Sequence, residues 1–347
     1  MNTREKYAGD GRGDGVIDVT GLRRRYGGAR PRTKQRGTGR RGERAAAGER
    51  AAAGGRTGYE AVRGIDFTVA RGELFALLGT NGAGKTSTLE LLEGLAEPTG
   101  GQVRVLGHDP YRERAAVRPR IGVMLQEGGF PSDLTPEETL RMWAGCTTGA
   151  QPVDRALHQV GLEKRKDVRV KQLSGGERRR LDLALALIGQ PEVLFLDEPS
   201  TGLDTEARHE TWELVRALRD NGTTIVLTTH YLEEAEELAD RLAILHDGRI
   251  AAAGHVAEVV AAHPSHISFE LPDGYALGDL PPLPELGVLG HETAGTTVRL
   301  RTDDLQRTAT GVLVWARDTG ITLRRLDVRP ASLEEAFLQI AKGLETV

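Results

Sequence analysis

Short continuous apolar runs recur along the middle of the chain, for example at residues 74–78 and 193–196. Such runs are typical of strands that are buried on both faces of a parallel sheet. Leucine-rich helical patterns follow them. Residues 73–125 and 190–250 therefore predict strands that alternate with crossover helices around a parallel sheet.

Two other patterns flank and interrupt this parallel-sheet region. Residues 16–25 and 60–71 predict a pair of antiparallel strands. Residues 127–172 show no strand pattern and predict helices near 137–146 and 153–160. The apolar residues expected in the core of this helical region are Leu140, Trp143 and Leu157.

The pattern changes again near residue 260, and residues 261–347 predict a small α+β domain. Proline-rich linkers lie at 263–264 and 281–284. Strands are expected at 267–271, 297–300 and 321–328. One helical face is formed by Leu305, Ala309, Val312 and Ala316. A last helix, capped by Ser332 and Glu335, carries Leu333, Ala336, Phe337, Ile340 and Ala341.

A complete phosphate-binding loop follows the apolar run at 74–78 and opens onto a helical pattern. Its glycines allow a tight turn that points backbone N–H groups at one spot, and the helix N-terminus adds partial positive charge. Lys85 is expected to bridge the β- and γ-phosphates, and the Thr86 hydroxyl to hold Mg²⁺. The loop consists of Gly79, Thr80, Asn81, Gly82, Ala83, Gly84, Lys85 and Thr86.

Candidate chemistry also follows two other predicted strands of the same sheet. Asp197 and Glu198 come directly after the run at 193–196, and in a parallel sheet such strand ends lie beside the phosphate loop. We expect Asp197 to hold the metal and Glu198 to act as general base toward the attacking water. His230 follows the β-rich run at 223–227 and is expected at the same edge, within reach of a γ-phosphate or the water.

The segment Leu173-Ser174-Gly175-Gly176-Glu177 begins another helix. Ser174 and Glu177 have the spacing of a capping box, which is a structural interpretation. The hydroxyl and the two glycines also present bare N–H groups at a helix N-terminus, which is an anion site. The two interpretations are compatible. A second anion site makes sense if it serves a nucleotide that is bound by another copy of the chain.

Together these segments resemble the ATP-binding subunit of ABC transporters over residues 16–260, and the signature segment at 173–177 is specific to that superfamily. The resemblance implies an α/β fold: a phosphate-loop NTPase parallel sheet with an antiparallel β subdomain and a helical subdomain, here 127–172. A small C-terminal α+β domain follows at 261–347. It also implies ATP and Mg²⁺ as cofactors and a homodimer in which ATP joins the loop of one subunit to the signature segment of the other.

The same resemblance assigns roles to individual residues. Residues 79–87, ending at Ser87, would bind the triphosphate, and Gln126 would touch Mg²⁺ and link the site to the membrane partner. Asp204 would communicate across the dimer, and His230 would be the switch histidine. Residues that would reach the partner's γ-phosphate are Ser174, Gly175 and Gly176. Glu177 departs from the family, which most often has Gln there, but Glu preserves the capping geometry.

The family also places an aromatic ring under the adenine. Tyr26, followed by Gly27 after the first strand, matches this position, and Tyr59 is the competing candidate. Either ring could instead be an ordinary strand aromatic.

Residues 28–57, between these tyrosines, form a low-complexity insertion rich in Arg, Gly and Ala. Without large apolar side chains it is expected to be a disordered loop, as is the N-terminus at 1–15. The insertion is interpreted as a solvated loop, with contact to anionic lipid or nucleic acid as the alternative.

Global composition adds three constraints. A net charge of −4 gives no general attraction to nucleic acid, so no specific nucleic-acid partner is expected. The single cysteine, Cys146, excludes an internal disulfide and suits a reducing compartment. Residues 1–6 lack the apolar segment of a signal peptide, and no apolar run approaches the roughly 20 residues that span a bilayer, so we expect another chain to supply the pore.

Residues 330–338 resemble the C-terminal extension of drug-resistance and ABC-2-type exporter subunits. This resemblance implies an exporter ATPase at the cytoplasmic face of the membrane, joined to an ABC-2-type permease. The alternatives are a soluble ABC-type ATPase acting on ribosomes or nucleic acid and a non-catalytic interaction subunit. A single cassette without a long heptad run argues against the first, and intact Lys85, Asp197, Glu198 and His230 argue against the second.

Overall fold

The structure, a computed structural model, describes residues 15–27, 58–126, 129 and 131–345. The predictions for residues 1–14 and 28–57 lie outside these ranges. The strands are β1 (Gly15–Tyr26), β2 (Tyr59–Ala70), β3 (Leu74–Gly79), β4 (Gly100–Val105), β5 (Ile121–Met124), β6 (Val193–Asp197), β7 (Thr224–Thr229), β8 (Arg241–His246), β9 (Arg249–His255), β10 (Ser265–Glu270), β11 (Val288–Ala294), β12 (Thr297–Thr302) and β13 (Arg324–Arg329). The helices are α1 (Lys85–Leu92), α2 (Arg114–Val117), α3 (Pro136–Ala144), α4 (Val153–Gln159), α5 (Gly175–Leu187), α6 (Thr205–Asp220), α7 (Leu232–Leu238), α8 (Val256–Ala261), α9 (Leu305–Asp318) and α10 (Leu333–Glu345).

The main sheet has six strands in the order β5-β6-β7-β3-β8-β9, and only β9 runs antiparallel to its neighbour. Strands β3, β6 and β7 are buried along their whole length, which explains their continuous apolar runs. Asp197 is in register with Thr228, and Thr228 in turn with Leu77. The carboxyl ends of β6, β7 and β3 therefore meet at one edge of the sheet.

A second sheet has the order β2-β1-β4 and is antiparallel. The pairing of β1 with β2 confirms the antiparallel strands, but β4 was wrongly included in the parallel-sheet region. Its burial explains the error: Val103 and Val105 are buried while Gln102 and Arg104 are exposed, an alternation that belongs to a sheet with one covered face. The stacked rings of Phe67 and Phe75, 5.1 Å apart, join this sheet to β3.

The helical region contains the two predicted helices, α3 and α4. Thr135 caps α3 in a capping box with Glu138. Leu140 and Leu157 are fully buried, as expected. Trp143 was wrongly expected in the core: it is 49% exposed, because the last turn of α3, from Arg141 onward, faces outward.

The C-terminal region forms a four-stranded antiparallel sheet in the order β11-β12-β10-β13, with α9 packed on it. The sequence pattern predicted all of its elements except β11, which is largely exposed and so lacks clean alternation. Helix α10 packs back on the main sheet, where Leu333 and Ala336 join the cluster around Ala235 and Leu242. The Leu333 amide also donates to Glu236 Oε1 at 2.8 Å.

Glu93 places a carboxyl oxygen in the core without a hydrogen-bond partner among the described residues. Glu93, which ends α1, is 3% exposed, and its Oε1 atom is unpaired. Burial, together with the charges of Asp197 and Glu90, raises the pKa of Glu93 to about 8. The side chain is therefore held as a neutral acid at pH 7.

Glu93→Gln is expected to remove a pH dependence of stability. A folded-state pKa of about 8, against 4.5 for the ordinary group, means that the free energy of unfolding falls as pH rises between these values. Between pH 6 and pH 8, the free energy of unfolding of the wild type should fall by on the order of 2–3 kcal/mol more than that of the variant. Urea unfolding at both pH values measures this, with the exposed Glu213→Gln as control. Parallel pH profiles for wild type and Glu93→Gln would contradict the burial argument.

Candidate active site

The phosphate loop is built where β3 ends and α1 begins. Gly84 precedes the first helical residue with φ of 102°, and Gly82 has φ of 83°, conformations that side-chain-bearing residues rarely adopt. A Cβ atom on Gly84 would lie 2.4 Å from the Ala61 carbonyl oxygen. Both glycines are therefore required by the turn and, at Gly84, by its packing against β2.

Lys85 lies beneath this loop. Its ammonium donates to the Gly79 carbonyl at 2.8 Å and to the Thr80 carbonyl at 3.4 Å. The Nζ atom also lies 3.5 Å from Glu198 Oε1, with only 5% of the lysine side chain exposed. Burial lowers the pKa of Lys85, and the charges of Glu198 and Asp197 oppose this shift.

The Glu198 carboxylate is the centre of the polar cluster. Gln126 Nε2 and Thr201 Oγ1 donate to its Oε2 atom at 3.3 and 3.1 Å, and His230 Nδ1 lies 3.2 Å from the same atom. Burial raises the pKa of Glu198, but the hydrogen bond and charge of His230 and the charge of Lys85 outweigh it and leave a net lowering. The carboxylate is thus kept ionised, as a general base requires.

A cavity of about 320 Å³ opens between these groups. Its lining residues are Tyr59, Ala61, Thr80, Asn81, Gly82, Gly84, Lys85, Thr86, Ser87, Gln126 and Glu198. The structure thus brings the phosphate loop together with Gln126 and Glu198. Asp197, Gly79 and His230 lie at the same strand ends without lining the cavity, and Ala83 is buried in the loop.

The donor set fits a magnesium ion that is bound together with substrate phosphates. The described ranges contain no group of three or more His, Cys, Asp or Glu side chains suited to a metal ion. Magnesium commonly needs only one or two carboxylates beside phosphate oxygens and water. Thr86 and Gln126 offer oxygen ligands in the cavity, and the buried Asp197 accepts a hydrogen bond from Thr228 Oγ1.

Both candidate tyrosines reach the phosphate loop or the helix after it. The Tyr59 hydroxyl donates to the Gly82 carbonyl at 3.2 Å, and this ring lines the cavity. The Tyr26 hydroxyl lies 3.1 Å from both Ser87 Oγ and Glu90 Oε2, outside the cavity lining. The assignment of Tyr26 to adenine stays a prediction. Tyr59, the competing candidate, is the tyrosine that contacts the backbone of the phosphate loop.

The signature segment lies elsewhere on the surface. The capping box is confirmed: the Glu177 amide donates to Ser174 Oγ at 3.1 Å, and the Ser174 amide donates to Glu177 Oε2 at 2.8 Å. Leu173 is buried, whereas Ser174 and Gly175 are exposed and Gly176 is half-buried. None of these residues lines the chain's own cavity. Asp204 is exposed and caps α6 through the Ala207 amide, 2.9 Å away.

Sequence reasoning missed two kinds of residue at this site. Thr201 and Thr228 bond to Glu198 and Asp197, but threonine near a strand end carries no distinctive signal. Arg179 was given no role, yet it is 8% exposed and contacts the site. Its position four residues before the buried Leu183, on the same helix face, was the available signal.

Comparisons with known proteins identify the family. Residues 62–201 match the model for ABC transporter, and residues 265–332 match that for ABC transporter domain-containing protein-like, C-terminal domain. The daunorubicin resistance ATP-binding protein DrrA3 of Streptomyces coeruleorubidus is 38% identical over 287 residues, 81% of this chain and 91% of the relative. Nod factor export ATP-binding protein I of Paraburkholderia xenovorans is 41% identical over 290 residues, 80% of this chain and 91% of the relative.

Solved structures show the same fold. The cbiO1 protein from Clostridium perfringens, part of the ABC transporter complex cbiONQ, has a TM-score of 0.57 at 25% identity and covers 72% of this chain and 91% of its own. A dimeric ATP-binding cassette with ADP and Pi, in a post-hydrolysis state, has a TM-score of 0.56 at 21% identity, with coverage of 69% and 98%. The chain belongs to the ATP-binding subunits of ABC transporters, and its activity is ATP hydrolysis in the service of transport. Within the described ranges, no helix is both long and apolar enough to cross a membrane.

Lys85→Ala is expected to weaken ATP binding at least roughly tenfold, because a charge-assisted hydrogen bond to phosphate is lost and the carboxylates of Glu198 and Asp197 remain uncompensated. Fluorescent-nucleotide titration measures the affinity, and Lys164→Ala, at an exposed lysine, serves as control. Equal affinity of Lys85→Ala and wild type would rule out the proposed contact.

Proposed function

We propose that two copies of this chain hydrolyse Mg·ATP in shared sites and thereby drive a separate permease that exports a small molecule. The observation that carries this proposal is the division of the site residues. One chain brings Lys85, Glu198 and His230 together at one edge of the sheet, while its Ser174 helix end is exposed and does not line the cavity at that edge.

Within one cavity the side chains have complementary tasks. Glu198 accepts a proton from water as the water oxygen bonds to the γ-phosphorus, and the bond to the β-phosphate bridging oxygen breaks to release ADP. Lys85 stabilises the charge that develops on the phosphate oxygens, and His230 holds Glu198 and the transferred phosphate in place. Magnesium, held by Thr86, Gln126 and Asp197 when bound, would neutralise phosphate charge.

The second anion site is used in the partner subunit. The Ser174 hydroxyl and the N–H groups of Gly175 and Gly176 lie at the start of a helix of 13 residues, which suits a γ-phosphate. Each chain carries this cavity and this helix end. In a two-fold homodimer, the helix end of each chain therefore faces the nucleotide in the cavity of the other. Asp204, exposed near the same surface, is the residue we assign to communication between the two sites.

The transport partner is inferred from the surface and from the relatives. Met142 and Trp143 leave adjacent apolar side chains exposed on α3 of the helical region, as a contact with another protein requires. The named relatives serve daunorubicin resistance and Nod factor export. We infer an ABC-2-type permease and a peripheral location at the cytoplasmic face of the membrane.

Glu198→Gln tests this function. The amide cannot accept the proton from water, so turnover should fall at least roughly a hundredfold, while ATP binding is kept and the ATP-bound dimer accumulates. A phosphate-release assay measures turnover, and sedimentation with and without ATP measures dimerisation. Turnover near the wild-type rate would remove Glu198 from its role, and a monomer in every nucleotide state would overturn the shared site.

Arg165 and Glu177 provide a second test of the shared site. Arg165 Nε lies 2.7 Å from Glu177 Oε1. Burial raises the pKa of Glu177, but the Ser174 amide and Arg165 outweigh it and leave a net lowering. Without Arg165, an uncompensated carboxylate lies one helical turn from the partner's γ-phosphate.

Arg165→Gln should therefore weaken ATP-driven dimerisation about fivefold, equivalent to about 1 kcal/mol, and the added change Glu177→Gln should restore it. The dimerisation constant in the Glu198→Gln background measures both. Additive losses in the double variant, with no recovery, would contradict the charge argument.

A further inference from the structure

The buried guanidinium of Arg179 extends from α5 to the carboxyl ends of β5 and β6. Arginine has five N–H donors, and all five donors of Arg179 reach backbone carbonyl oxygens. Nη1 donates to Leu125 and Gln126 at 2.9 and 3.0 Å. Nη2 donates to Asp197 and Glu198 at 2.9 and 2.7 Å, and Nε donates to Pro199 at 2.8 Å.

These carbonyls belong to the two segments that carry Gln126 and Glu198. The Glu198 backbone has φ of 48°, in the left-handed region that disfavours residues with a Cβ atom. Such a conformation persists only where surrounding contacts over-determine it. Three of the five carbonyls, those of residues 197–199, bracket this strained position, and the Glu198 amide donates to the Thr228 carbonyl at 3.0 Å.

We propose that Arg179 is a positioning residue of the hydrolytic site, through which the helix that begins at Ser174 sets the backbone conformation of Glu198 and Gln126. The inference rests on the proposed function, because it takes Glu198 as the base and Gln126 as a metal contact. Arg179 touches neither nucleotide nor water in this role and acts only through the residues it holds.

The geometry explains why arginine stands here. A planar fork can bond two separate segments at once, whereas a lysine ammonium has three donors on one atom. The buried charge is balanced by Asp182, whose Oδ2 atom lies 3.7 Å from Nη1 on the same helix face. Arg179 lies in the same helix as the exposed Ser174, so a displacement of that helix end by a partner's phosphate is transmitted to Glu198.

Arg179→Lys tests the inference, with Arg180→Lys as matched control. Arg180 lies next in sequence and pairs with Glu210 at 2.9 Å. Arg179→Lys is expected to lower kcat for ATP hydrolysis roughly 10- to 100-fold, with KM for ATP within about threefold of wild type, because the base is misplaced while the phosphate loop is intact. The control Arg180→Lys should leave both kcat and KM for ATP unchanged. Amide hydrogen exchange over residues 197–201 should be faster in Arg179→Lys alone.

Two outcomes would overturn the inference. One is a lowered melting temperature with unchanged kcat, since Arg179 would then only stabilise the fold. The other is an equal loss in kcat for the Arg180 control. If Arg179→Lys does not fold, Arg179→Gln, which removes the buried charge and keeps two N–H donors, is assayed in the same way. The Glu198→Gln variant distinguishes failure of the proposed function from failure of this inference. If Glu198→Gln keeps full turnover, the proposed function fails. If Glu198→Gln loses turnover but the Arg179 variants keep theirs, only the positioning role of Arg179 is refuted.

Discussion

An ammonium group buried under a loop needs an anion beside it, and this requirement organises the site. Lys85 is almost fully covered, and an isolated charge at that depth would give up its proton. The balancing charge comes from Glu198 and Asp197 at the carboxyl end of β6. A triphosphate brings the same kind of charge to the same ammonium. The Glu198 carboxylate therefore lies beside the same ammonium that a triphosphate would contact.

The order of the strands makes this pairing possible. Because β6, β7 and β3 are adjacent and parallel, their carboxyl ends place an acidic pair, a histidine and a phosphate loop within one cluster. The strands are buried along their whole length, and most of their residues are apolar, the exceptions being Asp197 in β6 and the threonines of β7. Glu198 and the phosphate loop lie in the turns just beyond the strands, where Glu198 and the loop glycines hold backbone conformations that a regular strand does not allow.

Much of this arrangement could be predicted because its signals are local. The parallel strands, the capping box of Ser174 and Glu177 and the helices α3 and α4 each follow from spacing within a few residues. Features that depend on distant partners could not be predicted. Strand β4 joins an antiparallel sheet through its pairing with β1, Trp143 is exposed because α3 ends in an outward-facing turn, and Arg179 bonds to segments 18 to 54 residues away.

The exposed residues of the signature segment lie between two buried side chains, and this arrangement bears on how one chain can serve two sites. Leu173 is buried just before Ser174, and Arg179 is buried in the second turn of α5, so the exposed residues between them are anchored on both sides. Their N–H groups are thus held in place before any phosphate arrives, which reduces the ordering that binding would otherwise require. Because Ser174 and Gly175 are exposed and do not line the chain's own cavity, an anion bound there would belong to a second nucleotide. The physical arrangement therefore favours catalysis by pairs of chains over catalysis by one.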